Sequence, residues 1–142
     1  MILLKNIILG KKRTGAYNRT RGQRAEQRVV NELKSLGFTE VVSSRSESKA
    51  TDDNKIDIID KAQKLPFGLN IQVKHQIQTP QYFKIRSEST APNETFVILW
   101  DKQEPREKNI ITVGRCAIMD IDLFYKLIKP YAEGKDICKT QT

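Results

Sequence analysis

Two short stretches decide how this chain is read: Lys55-Ile56-Asp57-Ile58-Ile59-Asp60 and, further on, Leu69-Asn70-Ile71-Gln72-Val73-Lys74. Alternate residues of a strand share a face, so the second stretch sets Ile71 and Val73 on one side and Gln72 and Lys74 on the other. In the first stretch Ile56 and Ile58 share a side, and Asp57 shares the opposite one with Ile59. A carboxylate in an apolar strand is costly unless it is paired or binds a cation. Asp57 therefore needs a partner, either a cation or Lys74 in a plain buried ion pair.

A helix is expected from about residue 21 to residue 36, where Ala25, Val29, Leu33 and Leu36 recur at spacings of three and four, and Gly37 ends it. Glu26 lies beside that stripe and can reach toward the sheet. Its alternative is a boundary position paired with Arg24 or Arg28.

Taken together, Gly22-Gln-Arg-Ala-Glu26, Leu33-Lys-Ser-Leu-Gly-Phe38, Ser44-Arg45-Ser46, Ile56-Asp57-Ile58 and Ile71-Gln-Val-Lys74 resemble the PD-(D/E)XK nuclease superfamily, most closely its archaeal-type Holliday junction resolvases. The similarity covers roughly residues 20 to 90. It implies a restriction-endonuclease-like α/β core, a central mixed sheet flanked by helices. It also implies a catalytic set of Glu26, Asp57, Gln72 and Lys74, with Asp57, Gln72 and Glu26 as metal ligands. Ile56 stands where a proline often precedes the aspartate. Gln72 stands where the family usually has an acidic residue, although some branches carry glutamine there.

Such residue types suit phosphodiester hydrolysis at magnesium, with manganese as a substitute. Hard cations take oxygen ligands and often hold only one or two carboxylates plus substrate phosphate. They lower the pKa of water and neutralise charge on a phosphorane-like transition state. Lys74 would orient the water or stabilise that charge, because a reference pKa of about 10.4 makes it a poor general base. With a neutral amide at position 72, a higher metal requirement is expected than for an acidic version of the site.

The formal charge is +8, and the first 28 residues carry +7 of it, from eight lysines and arginines against Glu26 alone. Concentrated positive charge of this kind is the footprint of a phosphate-binding arm. Residues 1–20 are read as a basic flexible arm, 21–134 as the nuclease-like domain and 135–142 as a C-terminal tail. Lys11, Lys12, Arg13, Arg19, Arg21 and Arg24 are the DNA-binding candidates. A basic tail also serves solubility or localisation. In the polar stretch from residue 43 to residue 55, the resemblance makes Ser44 and Arg45 candidates for gripping a phosphate; otherwise Arg45 simply ends a surface strand. Asp52 and Asp53 are read as solvated or as spare ligands.

At 142 residues and 38% hydrophobic content, one domain with a real core is expected. Further elements are a helix within residues 79–89, a buried strand over 95–100, strands over 110–113 and 116–119, and a last helix capped by Asp120 and running through Ile128. Tyr82, Phe83, Phe96, Trp100 and Phe124 are read as core or dimer surface. Cys116 and Cys138 are two separated thiols that fit a reducing compartment, and the only histidine, His75, is read as a structural or rim residue. The apolar stretches near the N-terminus are too short to span a membrane. The expected function is a magnesium-dependent endonuclease, a Holliday junction resolvase acting as a homodimer on branched DNA in recombination or repair. The expected location is the cytoplasm or another DNA-containing compartment. The alternatives are a homing or restriction-type duplex endonuclease of the same fold and a non-catalytic DNA-binding or structural protein with a degenerate site.

Overall fold

The computed structural model describes residues 15–46, 56–89 and 92–134, and in it the chain folds as an α/β unit around one five-stranded mixed sheet. The elements are α1 (Gly15–Ser35), β1 (Val41–Ser43), β2 (Ile58–Asp60), β3 (Asn70–Gln76), α2 (Tyr82–Glu88), β4 (Phe96–Arg106), β5 (Asn109–Met119) and α3 (Ile121–Ala132). The strands lie in chain order; β3 and β4 are parallel, joined through α2, and every other neighbouring pair is antiparallel.

Helix α1 forms because Ala25, Val29 and Leu33 put an apolar stripe on one face. Val29 and Val30 pack with Val41, Ile58, Leu65 and Ile71, and Leu33, Phe38 and Val73 close the edges of that cluster. The helix ends as its glycine requires. Gly37 adopts a φ of 111°, the Phe38 amide bonds to the Leu33 carbonyl, and the Gly37 amide bonds to the Lys34 carbonyl, which together make a Schellman cap. Leu36, expected in the buried stripe, is instead exposed, because the cap turns the chain away at that residue. At the other end α1 starts at Gly15, inside the stretch read as a flexible arm. That extra length carries a Thr20 hydroxyl bond to the Ala16 carbonyl and the Arg21 guanidinium against the Tyr17 ring. Lys11, Lys12, Arg13, Asp52, Asp53, Cys138 and the 135–142 tail lie outside the described residues.

The second face of the sheet carries Tyr82, Phe96, Ile98 and Trp100, with Ile85 and Ile118 at its margin. The Tyr82 hydroxyl donates to the Phe96 carbonyl at 2.7 Å and accepts from the Asp120 amide at 3.2 Å, so α2 is tied to β4 and to the start of α3. Asp120 caps α3 as expected, its carboxylate accepting from the Asp122 amide. That bond and the Arg86 guanidinium hold its carboxyl below the ordinary range.

Several boundaries differ from the expectation. Helix α2 begins only at Tyr82, since Pro80 disfavours a helical Thr79. The two short strands expected over 110–119 are one, because Gly114 and Arg115 continue the ladder opposite Lys102 and Asp101. Helix α3 runs a turn beyond Ile128. Two aromatics read as core or dimer surface do not enter the core: Phe83 is 67% exposed and lies over the Arg86 guanidinium, and Phe124 stands out from α3 beside Tyr125. On so short a helix as α2 only one of two consecutive rings can face the sheet, and Tyr82 does. Among the described residues no helix is long and apolar enough to cross a membrane.

Candidate functional site

The site begins where β2 and β3 part. Ile58 pairs with Ile71, and one step outward the Asp57 amide still donates to the Ile71 carbonyl at 2.9 Å. At the next position the main-chain ladder is replaced. The Val73 amide donates to the Asp57 carboxylate, Oδ2, at 2.7 Å. Asp57 therefore precedes the strand, and its side chain takes the place of a backbone acceptor. This wedges a carboxylate into the opening between the strands, beside the backbone that joins Gln72 to Lys74. The amide bond is one favourable contact for a carboxylate.

Gln72 and Lys74 share a face, as alternation requires. It is the face away from α1, since Ile71 and Val73 pack on the α1 core. Gln72 is 5% exposed, and its Oε1 has no hydrogen-bond partner among the described residues. A buried amide oxygen without a partner costs about 1–3 kcal/mol. Natural structures contain few such groups, and each asks for an explanation. Lys74 is half-buried and makes no ion pair among the described residues, so the buried Asp57–Lys74 pair considered from sequence is not formed.

Glu26 reaches inward from α1 and is 4% exposed. Its partner is neither Arg24 nor Arg28 but Arg45, whose Nε lies 3.1 and 3.0 Å from the two carboxylate oxygens. Arg45 follows β1 in a short 3-10 turn, Ser44–Ser46. Ser44 is completely buried there, and its amide donates to the Asp57 carbonyl at 2.8 Å. The two residues read as phosphate grips thus brace the carboxylates: Ser44 holds the Asp57 backbone and Arg45 holds the Glu26 side chain. The structure links Glu26 to Asp57 through Arg45 and Ser44, and links Asp57 to β3 through Val73.

Oxygen donors of the kind that hard cations take are present at this opening. The oxygen groups here are the Asp57 carboxylate between β2 and β3, which accepts from the Val73 amide, the Gln72 amide oxygen, and the Glu26 carboxylate, which Arg45 holds. Among the described residues no group of three or more histidine, cysteine, aspartate or glutamate side chains could hold a metal. One or two carboxylates completed by waters and phosphate is the habit of magnesium.

A second polar cluster, not anticipated from sequence, lies on the α1 face at the far ends of β3 and β4. Asp101 and Gln103, 3% and 2% exposed, sit beneath it. His75 Nδ1 lies 3.2 Å from Asp101, and Arg21 approaches His75 Nε2 at 3.0 Å and Gln103 Oε1 at 3.2 Å. Arginine offers only hydrogens, so Nε2 accepts and Nδ1 donates to Asp101. Arg115 bonds Asp101 at 2.8 Å and grips Glu32 through two 2.7 Å bonds. That grip holds the Glu32 carboxyl below its usual range, and the two carboxylates hold the arginine's own pKa well above its ordinary value. The available signal was the alternation Val97, Leu99, Asp101, Gln103, which continues a buried face past the apolar run. His75 is thus a half-buried structural residue of this network that also lines the surface beside it.

Arg19, Arg21 and Arg24 all lie on α1, with Arg19 and Arg24 exposed. The Cys116 thiol is free and exposed. Comparison with known proteins finds no matching family model, no similar curated protein and no similar solved structure.

Proposed function

We propose that this protein is a metal-dependent endonuclease with a PD-(D/E)XK-like core, acting on branched DNA as a Holliday junction resolvase does. The observations that support the reading are the Asp57 carboxylate, bonded to the Val73 amide where β2 and β3 part, and the buried side-chain oxygen of the preceding residue Gln72, which has no hydrogen-bond partner among the described residues. Both carry oxygen that a hard cation takes, and Gln72 shares its β3 face with Lys74.

In this reading Asp57 and Gln72 would hold magnesium. Magnesium, when bound, activates water and offsets the charge that builds on phosphorus. Lys74, which makes no ion pair among the described residues, would donate to the attacking water or to a phosphate oxygen. Glu26 and Arg45 act as a pair. Glu26 fixes the guanidinium through Nε and so aims its remaining donors toward the substrate side, where a planar fork suits phosphate. This assigns Glu26 a positioning role in place of the metal-ligand role expected from the resemblance. A homodimer supplies the second site needed for paired cuts, and the exposed apolar residues Ile121, Phe124, Tyr125 and Ile128 on α3 support it.

One observation favours a non-catalytic DNA-binding protein: of the two carboxylates read as ligands, one is already neutralised by arginine. The readings separate when a labelled immobile four-way junction and its matched linear duplex are incubated with the protein in magnesium, manganese or EDTA. Paired metal-dependent nicks on the junction alone support a resolvase, cuts in both substrates move the reading to a duplex endonuclease, and tight binding without cleavage in any metal removes the enzyme.

A further inference from the structure

We infer that the cleft between α1 and the end of β3 is a second phosphate-binding subsite, separate from the Asp57 edge, which holds the nucleic-acid backbone beyond the cut. The inference rests on the nucleic-acid reading above for its ligand class, and on the following geometry for its place.

The cleft encloses about 430 Å³, and Tyr17, Thr20, Arg21, Arg24, Arg28 and His75 supply its polar lining, which contains no carboxylate. Positions 17, 20, 21, 24 and 28 recur at helical spacings of three and four, so one face of α1 presents three guanidinium groups and two hydroxyls together. Two of the arginines are preset from below. Arg21 is fixed by His75 and Gln103, and Arg28 lies 3.7 Å from Asp101. Burying Asp101 and Gln103 at this depth is costly unless their partners are held in place, and the partners they hold include the arginines of this cleft. Arg24 is different: it makes no hydrogen bond or ion pair among the described residues, and its fork stays available for bidentate contact with phosphate oxygens.

The lining favours a polymer over a free ion. A second cleft of about 440 Å³ shares the Arg21 and His75 wall and continues past Gln76 and Gln103, also without a carboxylate. The two form a run longer than one phosphate needs. His75 follows Val73, the residue that anchors Asp57, by two strand positions, about 7 Å. The Gln72 and Lys74 side chains lie on the opposite face of the sheet from this cleft, so the cleft would hold backbone beyond the cut and not the phosphate at Asp57.

The test measures binding in EDTA, where cleavage is absent, by anisotropy of a labelled DNA duplex over a salt series. The proteins are the parent, Arg24→Ala and the control Arg106→Ala, which removes the same charge from the exposed end of β4. Arg24→Ala is expected to weaken binding about tenfold and to lower the slope of log affinity against log salt by about one, with Arg106→Ala near the parent. A parallel NMR titration with inorganic phosphate is expected to shift Thr20, Arg24 and His75 only weakly at millimolar phosphate while DNA shifts them strongly. If phosphate alone saturates these shifts and DNA does not compete, the site takes a free anion and the backbone assignment falls. Equal affinities for Arg24→Ala and Arg106→Ala also overturn the subsite. That result leaves the nuclease reading standing if magnesium-dependent cleavage persists. Conversely, Arg24-sensitive binding by a protein that cuts nothing keeps the subsite and removes the nuclease.

Discussion

Gln72 is the residue whose replacement discriminates most sharply, because its neutral oxygen is buried and without a hydrogen-bond partner among the described residues. Changing it to leucine removes an orphan worth about 1–3 kcal/mol, so Gln72→Leu is expected to be more stable than the parent in EDTA by that order. Changing it to glutamate does the reverse. The Asp57 carboxylate lies 2.7 Å from the Val73 nitrogen, the atom bonded directly to the Gln72 carbonyl carbon, so the new carboxyl is buried close to an existing negative charge. Burial and a like charge raise a carboxyl pKa by several units, and even a two-unit rise costs about 2.7 kcal/mol at neutral pH. A divalent cation reverses that cost. Ligand at tenfold above its dissociation constant stabilises a folded protein by about 1.4 kcal/mol, and a second carboxylate increases the affinity that sets this figure. Urea denaturation in EDTA is thus expected to rank leucine above glutamine above glutamate. Added magnesium should raise the glutamate variant most and the leucine variant not at all, and the glutamate variant should reach half-maximal cleavage at lower magnesium than the parent. A Gln72→Glu protein as stable as the parent in EDTA, with no larger response to magnesium, would refute the assignment of this oxygen to a cation.

Other consequences can be measured with the same preparations. Removing Arg45 as Arg45→Met takes a charged partner from the buried Glu26 carboxylate and is expected to cost about 3 kcal/mol in urea denaturation, with most of it recovered in the Glu26→Gln, Arg45→Met double variant; a loss below 1 kcal/mol would show that Arg45 does not hold Glu26. Stability is expected to fall at acid pH with a defined sign. Glu32 and Asp120 are both held below their ordinary values of 4.5 and 3.8, so the stability they add is complete above those values and is lost as pH falls through the lower folded ones. Arg115 is the main cause for Glu32, and Arg115→Gln should flatten the urea midpoint between about pH 5 and 3; an unchanged slope would contradict that assignment.

How far the sequence could be read depended on whether the information was local. Helix α1 was legible from Ala25, Val29, Leu33 and Gly37, and the shared face of Gln72 and Lys74 followed from strand alternation. Which side of the sheet that face occupies was not legible, because it is set by the pairing of β3 with β4, from Asn70 with Phe96 to Gln76 with Lys102. The length of β4 and β5 was missed for the same reason: Lys102 to Arg106 show no apolar alternation, and the hairpin partner supplies the order. Glu26 was found as a candidate but not its partner, since Arg45 is 19 residues away and meets it only through the turn after β1. Asp101 and Gln103 follow an apolar run and look like the start of a loop, and only the packing of α1 over them makes them a buried polar layer.

The most direct measurement is single-turnover nicking of a labelled four-way junction by Asp57→Asn beside the parent, in saturating magnesium. Asparagine keeps one oxygen to accept from the Val73 amide, so that brace is retained while the negative charge and the second acceptor oxygen are lost. Metal-dependent paired nicks by the parent, reduced at least about a thousandfold in Asp57→Asn while junction affinity in EDTA and urea stability stay near the parent's, are the expected result. Nicking that persists at the parent's rate in Asp57→Asn, or a parent that binds the junction and never cuts it, would contradict a cation site at Asp57.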